Sequence, residues 1–277
     1  MSKLYVVGTP IGNLSDMTPR AIEILGSVDF IAAEDTRVTM KLLTHFDIHK
    51  PLISYYEHNL RVKGEEIINR MLDGENCAIV TDAGMPCISD PGEDLVKLCV
   101  DHGIEVNVVP SPTAAMSALA ISGLSTSRFS FEGFLSVTKK QRFAHLEEVK
   151  DLKHTLIFYE APHKLKKTLN DMLQILGDRR VSLCREMTKI HEEVLRGRIS
   201  ELISYYENTN PKGEFVIVVE GNVKIPEERY VPEEAIEYAR QLIVSGEKVS
   251  DACKEAAKKY GFTKSEIYSG VISENRK

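Results

Sequence analysis

Apolar positions along the first part of the chain come in short runs separated by stretches of helical period. That alternation predicts an α/β fold with a largely parallel sheet, because a parallel strand is covered on both faces and reads as a continuous apolar run. The runs at residues 4–7, 28–33, 51–55, 77–81 and 105–109 are the expected strands. Three helices are expected to open on a capping residue followed by proline, at Thr18-Pro19, Asp90-Pro91 and Ser111-Pro112, since a proline costs nothing at a first helical position whose N–H has no partner. The segment PTAAMSALAISG, residues 112–123, is small and apolar enough for a buried helix with Gly123 as its C-cap, and a domain boundary is expected nearby.

From Arg128 the tempo changes. RFSFEGFL, TLIFYEAP, VSLCREM, EEVLRG and GEFVIVVEG follow with helices between only some of them, which predicts a second α/β domain with a mixed sheet. After Gly221 a charged, proline-bearing linker, NVKIPEERYVP, leads into purely helical patterns. There VSDACKEAAKKYG ends in glycine, and FTKSEIYSGVI opens with Thr263 and Glu266 spaced as a capping box, predicting a helix-turn-helix-like pair. A hairpin packed on the body and a nucleic-acid contact both fit that pair. The expected domains are residues 1–118, 119–223 and 232–277.

At 277 residues, 43% hydrophobic and 27% charged, the chain can build more than one core. Its five cysteines, Cys77, Cys87, Cys99, Cys184 and Cys253, contain no C-x-x-C pair, so neither a disulfide framework nor a zinc cluster is expected and a reducing cytoplasm fits. No signal peptide or membrane span is expected. A formal net charge of −6 argues against a general polyanion binder and leaves room only for local basic patches. His45 and His49 stand one helical turn apart without a third ligand, so no metal is assigned.

Chemistry is expected where strands run into loops. LYVVGTPIGN ends an apolar strand at Gly8, Pro10 and Gly12, a turn that a ligand can approach closely; it has neither the G-x-G-x-x-G spacing nor a phosphate-loop G-x-x-x-x-G-K-[ST]. TDAGMPCISDPG repeats the arrangement with Asp82, Gly84, Pro86, Pro91 and Gly92, and VVPSPTAA adds a third loop. Ligands of open α/β sheets lie beyond the carboxyl ends of strands, so the three loops describe a crevice. An apolar crevice with few side-chain charges and many backbone N–H and C=O groups is expected, and it suits an adenosine-bearing sulfonium better than a triphosphate.

The combination VGTPIGN, AAEDTR, SYYEHN, TDAGMPCISDPG, VVPSPTAA, FYEAPHK, CREMTK and GEFVIVVEG, in this order over residues 4–221, resembles the tetrapyrrole methylase superfamily and in particular its RNA-acting branch. The resemblance implies a class III methyltransferase, two α/β domains clasping S-adenosylmethionine, acting as a homodimer. It also implies methylation of the 2'-hydroxyl of a cytidine in the decoding region of 16S rRNA in the small ribosomal subunit. By motif, cofactor contacts are expected at Pro10, Thr81, Asp82, Ala83, Met85, Thr113 and Ala114, with Tyr159, Met187 and Gly213 from the second domain. Related cobalamin-pathway enzymes carry Gly-Asp-Pro where this chain has Thr81-Asp82-Ala83, a departure that points away from a tetrapyrrole substrate.

A hydroxyl acceptor needs its proton removed, so acidic groups at strand ends are the candidates: Glu34, Asp35, Glu160 and Glu186, with Lys189 nearby. Asp35, Glu160 and Lys189 are the expected catalytic set. Arg37 and Arg185, whose planar forks suit phosphate or carboxylate alike, join Lys139, Lys140, Arg142 and Lys164 as expected RNA contacts; His163, Lys166, Lys167, Arg179 and Arg180 extend the basic clusters. Tyr55-Tyr56 with His58 reads first as core and second as a base-stacking group. Methylation of a small molecule or of a modified protein residue, and a non-catalytic RNA-binding assembly factor, are the alternatives.

Overall fold

A computed structural model describes residues 2–222 and 233–273. The linker at 223–232, the end at 274–277 and the side chain of Glu266, half of the expected capping box, lie outside the described residues. The chain falls into two compact units, Met1–Asn222 and Val223–Lys277.

The first unit opens with β1 (Lys3–Val7), β2 (Phe30–Ala33), β3 (Leu52–Ser54), β4 (Cys77–Val80) and β5 (Glu105–Val109), all parallel in the order β3-β2-β4-β1-β5. Both β2 and β4 are buried at every position. Their apolar runs are explained by cores on both faces of the sheet: Leu4, Phe30, Ile79 and Leu95 on one, Val7, Leu25, Ile31 and Val80 on the other. The connecting helices are α1 (Pro19–Ser27), α2 (Thr36–His45), α3 (Leu60–Leu72), α4 (Glu93–Asp101) and α5 (Ala114–Ile121).

Of the three proline-marked helix starts, one forms as expected: the Thr18 side chain accepts from the Ala21 N–H with Pro19 in the first turn. The other two are corrected. Helix α4 begins at Glu93 behind Gly92, whose φ of +134° is open to glycine and turns the chain after Pro91, so Asp90 caps nothing. Helix α5 is capped by Thr113, because the Ser111 hydroxyl donates to the Thr9 carbonyl at 2.9 Å. Only one side of α5 is buried, through Ala115, Ala118 and Leu119, whereas Met116 and Ile121 are exposed. Gly123 follows the cap with φ +77°.

The second sheet contains β6 (Phe129–Phe134), β7 (Thr155–Glu160), β8 (Arg180–Arg185), β9 (Glu193–Arg198) and β10 (Phe215–Val219) in the order β6-β7-β10-β8-β9. It is mixed as expected, with β6 and β7 parallel and the remaining pairs antiparallel. One face carries α6 (Lys139–Val149), α7 (Pro162–Leu176) and α8 (Ile199–Glu207) over Leu146, Leu165, Leu169 and Ile199. The other face meets α5: Ala115, Ala118 and Leu119 pack with Ile157, Val216 and Val218, and Ile11 and Met187 complete that cluster. The expected limit at residue 118 therefore runs through a helix seated on the second sheet.

The second unit holds α9 (Glu233–Val244), α10 (Val249–Tyr260) and α11 (Lys264–Ser273) around Ala235, Ala239, Cys253, Ala256 and Ile267. Gly261 ends α10 in the left-handed region at φ +76°, giving the helix, tight turn and helix read from the sequence. Among the described residues no helix is long and apolar enough to cross a membrane.

Candidate active site

Strand order puts β1 between β4 and β5, so the loops leaving these three strands lie side by side. Thr9 ties them together. Its N–H donates to the Gly84 carbonyl at 2.8 Å and its carbonyl accepts from the Gly84 N–H at 3.1 Å. The buried Thr9 hydroxyl donates to the Thr81 carbonyl at 3.1 Å, and Ser111 closes the third side. A glycine precedes Thr9 because the three loops converge there: a Cβ on Gly8 would stand 2.3 Å from the Ser111 Cβ and 2.6 Å from the Met85 Sδ.

Against these loops the ends of β7, β8 and β10 border a half-open cavity of about 370 Å³, within the range of small-molecule sites. Of the expected cofactor residues, Thr81, Asp82, Ala83, Met85, Thr113, Ala114, Tyr159 and Met187 line it. Pro10 and Gly213 do not, their places being taken by Ile11 and Glu214 one residue further on. At Gly213 the backbone is pressed against Glu186, whose Cγ would lie 2.5 Å from an added Cβ. Sequence reasoning missed Ile88, Ser89, Asp90 and Phe134 as lining residues; the only signal was that the first three belong to the loop after β4.

The lining is apolar, but the expectation of few side-chain charges is corrected: it is strongly acidic, because carboxyls at the ends of β2, β4, β7 and β10 converge on it. Met85, Ile88, Phe134, Tyr159 and Met187 supply surface, Glu34, Asp82, Asp90, Glu160 and Glu214 supply carboxyls, and no Lys, Arg or His lines it among the described residues. Glu34 accepts from the Thr81 hydroxyl and, at 3.4 Å, from the Asp82 N–H, while Asp82 accepts from the Asp35 N–H at 3.3 Å. Partial burial raises the Asp82 carboxyl, and the neighbouring Glu34 charge adds to the rise. Burial pushes Asp90 further, to about 7, with Glu34 and Asp82 repelling its charge and the Thr81 hydroxyl pulling the other way. The Tyr159 hydroxyl accepts from the Ala115 N–H at 3.2 Å, and its ring meets Phe131 and Phe134 at centroid distances of 4.9 and 5.5 Å.

The three expected catalytic residues part company. Glu160 lines the cavity, yet one of its oxygens takes the Ala161 N–H at 2.8 Å and the other the Thr168 hydroxyl. Asp35 does not line it: it caps α2, and the Arg37 side chain and N–H hold its carboxyl down at about 2. Lys189 also lies off the lining, bonded to Glu186 and Glu214 at 3.0 and 2.9 Å.

The basic set divides as well. Arg142 is corrected from RNA contact to structural residue: it is buried, its Nε bonds Asp171 at 2.7 Å, and its Nη1 takes the Ser136 and Val137 carbonyls. Arg185 is held by Glu193 at 3.0 Å and Arg37 by Asp35. Arg179 is spent on the carbonyls of Leu176, Lys150 and Glu220. Lys139 and Lys140 are exposed, the former 4.8 Å over the Phe143 ring, and Lys164 is half-buried. Tyr55 is core, its phenol pushed up to about 12 by burial, whereas Tyr56 is exposed against His58.

A parallel sheet and a mixed sheet joined around a cavity at their strand ends is the architecture of a known class of methylases. The tetrapyrrole (corrin/porphyrin) methylase family pattern matches residues 3–203, and the chain belongs to that family. Among curated proteins it is similar to Ribosomal RNA small subunit methyltransferase I of Halalkalibacterium halodurans, 49% identical with 96% of this chain and 93% of that protein covered. The Bacillus subtilis protein of the same name is 47% identical over 97% of this chain and 93% of its own length. That of Thermotoga maritima is 50% identical over 221 residues, which are 80% of this chain and 99% of that protein. Among solved structures, cobalt precorrin-4 methyltransferase shares the fold at a TM-score of 0.60 and 19% identity, covering 79% of this chain and 94% of its own. Diphthine synthase does so at 0.59 and 12%, covering 80% and 90%.

Proposed function

We propose that this protein transfers a methyl group from S-adenosylmethionine to ribosomal RNA of the small subunit, at the 2'-hydroxyl of a cytidine in the decoding region of 16S rRNA, as a cytoplasmic homodimer. The relatives' names support the ribosomal substrate. The observation that carries the donor is the charge of the cavity: five carboxyls and no cationic side chain among its described lining residues, with an apolar wall. Such a lining repels a triphosphate and suits a sulfonium, which carries the positive charge the cavity lacks.

Thr81, Asp82, Ala83, Met85, Thr113 and Ala114 would hold the donor from the first sheet and Tyr159 and Met187 from the second. Bound there, it supplies a methyl group on cationic sulfur. Tyr159 and Phe134 offer the flat apolar surface for a ring. The same acidic lining keeps phosphates outside the cavity. Lys139, Lys140 and Lys164, which no carboxylate claims among the described contacts, are the proposed phosphate contacts on the second sheet's side, with Arg185 at the end of β8 and Arg37 at the start of α2 as further ones if freed from their carboxylates.

The test uses purified full-length protein, labelled S-adenosylmethionine, small ribosomal subunits, naked 16S rRNA and a porphyrinoid. Label is expected in RNA and at a ribose oxygen, and ribose-methylation mapping of cells with and without the gene should show one decoding-region cytidine losing its mark. Label in the porphyrinoid or in a protein residue would refute the substrate, and RNA binding without any donor binding would leave an assembly factor.

A further inference from the structure

We propose that Tyr56 is the stacking platform for the base of the acceptor nucleotide, the ring on which the cytosine rests while its ribose reaches the donor. The inference rests on the RNA-methylation reading above. It gives a role to an aromatic pair, Tyr56 and His58, that neither the core nor the donor cavity uses.

Position comes first. In the order β3-β2-β4-β1-β5, the loop leaving β3 lies beside those leaving β2 and β4. That loop and the first residue of α3 supply Glu57 and Leu60 to a second, open pocket of about 330 Å³, whose other walls include Cys87, Glu93 and Asp94. Ser89 and Asp90 line this pocket and the donor cavity alike, so the two share a wall. An acceptor nucleotide that brings its ribose to the donor across this wall has its base in or beside the open pocket. Tyr56 is the residue before Glu57 on that rim.

The ring is also held in place. Alternation at the end of β3 sends Tyr55 into the core, 1% exposed, and Tyr56 outward, 41% exposed. Asn59 fixes the backbone beneath the ring. Its Oδ1 accepts from the Tyr56 N–H at 2.9 Å, its Nδ2 donates to the Ser54 carbonyl at 3.0 Å, and its own N–H donates to the Tyr56 carbonyl at 2.9 Å. The Tyr55 N–H ties the same turn to β2 through the Ala33 carbonyl at 2.8 Å. His58 stands edge-on to Tyr56, with centroids 6.1 Å apart and planes at 88°. An exposed ring on a fixed backbone loses little freedom when a base settles on it, and every base has a π-face to offer.

Charge selects what can lie there. Glu57, Asp90, Glu93 and Asp94 border the open pocket, and no Lys, Arg or His does among the described residues. A phosphate is turned away by such a border, whereas a neutral base is not. The Glu57 carboxylate is exposed and meets no cation or hydrogen-bond donor among the described contacts. Carboxylates accept from the N4 amino group of cytosine, where uracil presents a carbonyl oxygen that a carboxylate repels. Beneath Tyr56, the buried Tyr55 hydroxyl has no partner among the described residues, and its electrostatic neighbours are Asp94 and Cys87 of the same pocket together with Cys99. A buried hydroxyl without a partner is a demand that a polar guest can meet.

The experiment uses full-length wild type, Tyr56→Ala, Tyr56→Phe and Tyr56→Trp, with small ribosomal subunits as acceptor. Tyr56→Ala should lower kcat/KM by about 5- to 150-fold, the loss of one aromatic–base stack. Tyr56→Phe keeps the ring face and should stay within about threefold of wild type. Donor affinity by calorimetry should change by less than about threefold in both, because Tyr56 does not line the donor cavity. The chain has no tryptophan, so Tyr56→Trp places a single indole on the platform. Its emission should be quenched by a 16S rRNA fragment spanning the decoding region, whereas that of Tyr205→Trp, exposed on α8, should not. The assignment is overturned by Tyr56→Ala activity within about threefold of wild type, by Tyr56→Phe as impaired as Tyr56→Ala, or by donor affinity falling as far as the rate. Unquenched Tyr56→Trp emission, or equal quenching of Tyr205→Trp, overturns it as well. If wild type methylates no RNA, the substrate reading fails; the Tyr56→Trp emission still decides whether a base rests on that ring.

Discussion

Arg142 distinguishes a phosphate contact from a structural bolt. Its guanidinium is 3% exposed and joins α6 to α7 through Asp171, itself 7% exposed, and to the Ser136 and Val137 carbonyls. Cutting Arg142 to alanine strands a buried carboxylate and two carbonyls, a loss of about 3–5 kcal/mol when one partner of a buried pair is removed. For a unit of this size each kcal/mol moves the melting temperature by roughly 2–4 °C, so a fall of roughly 6–20 °C is expected in calorimetry or urea unfolding. Replacing both partners, Arg142→Met with Asp171→Leu, removes the stranded charge and should return to within about 1 kcal/mol of wild type. RNA titrations at several salt concentrations supply the other half. The double variant should keep the wild-type slope of log affinity against log salt, whereas Lys140→Ala should reduce it by about 0.7–0.9. The reasoning is refuted if Arg142→Ala costs under about 1 kcal/mol, or if the double variant flattens the salt slope.

Gly8→Ala should destabilise by about 1–3 kcal/mol and weaken donor binding in calorimetry, because the new methyl must displace Ser111 or Met85; a neutral result would mean the three loops are not locked together. Asp90 has a folded pKa, about 7, above the usual carboxylate value, so between about pH 4 and 7 the unfolded chain loses a proton that the folded chain keeps. Stability should therefore fall as pH rises through that window, by on the order of 1 kcal/mol after allowance for solvent screening of a half-exposed group. In Asp90→Asn the fall should be smaller, as read from urea midpoints at pH 4.5 and 8 (roughly the ends of that window). A chain ending at Asn222 should melt cooperatively and bind S-adenosylmethionine within a few fold of the full chain: it is a compact unit, and the Thermotoga maritima relative aligns over a similar 221 residues with 99% of its own length. An unfolded fragment would show that the helical unit supports the first.

What the sequence made legible was the part governed by periodicity and strand-end geometry. The strands buried nearly throughout, β2, β4, β7 and β10, sit on apolar runs, whereas β9, with Glu193, Arg196 and Arg198 and no buried position, carries a much weaker signal. The crevice was readable for the same reason: once β1, β4 and β5 are parallel neighbours, their following loops have one place to go. Helix starts were less readable. Ser111-Pro112 has the local signature of a cap, but a contact from Thr9, 102 positions away in the chain, takes the serine. Charge was least readable, since Arg142, Arg179 and Lys140 look alike in sequence and only tertiary burial separates the first two from the third.

Asp90, which lines the cavity, was hidden by a rule that usually holds. Asp-Pro before an apolar periodic segment normally opens a helix, and a capping aspartate would have its carboxyl bound to backbone N–H groups and its pKa lowered. Gly92 breaks that reading by starting the helix two residues past Pro91. The same device recurs across the cavity. Glu186 and Thr188 take left-handed φ values of +50° and +65° around Met187, as Cys87 and Ser89 do around Ile88, and both central side chains line the site. Each such residue costs on the order of 1 kcal/mol or more. Two walls that carry the same alternation, one from each sheet, are held against local preference by contacts distant in sequence: Ser89 on Gly133, and Lys189 and Thr188 against Gly12. Local propensity predicts ordinary turns at both places, and it fails where the fold spends stability to aim side chains into the cavity.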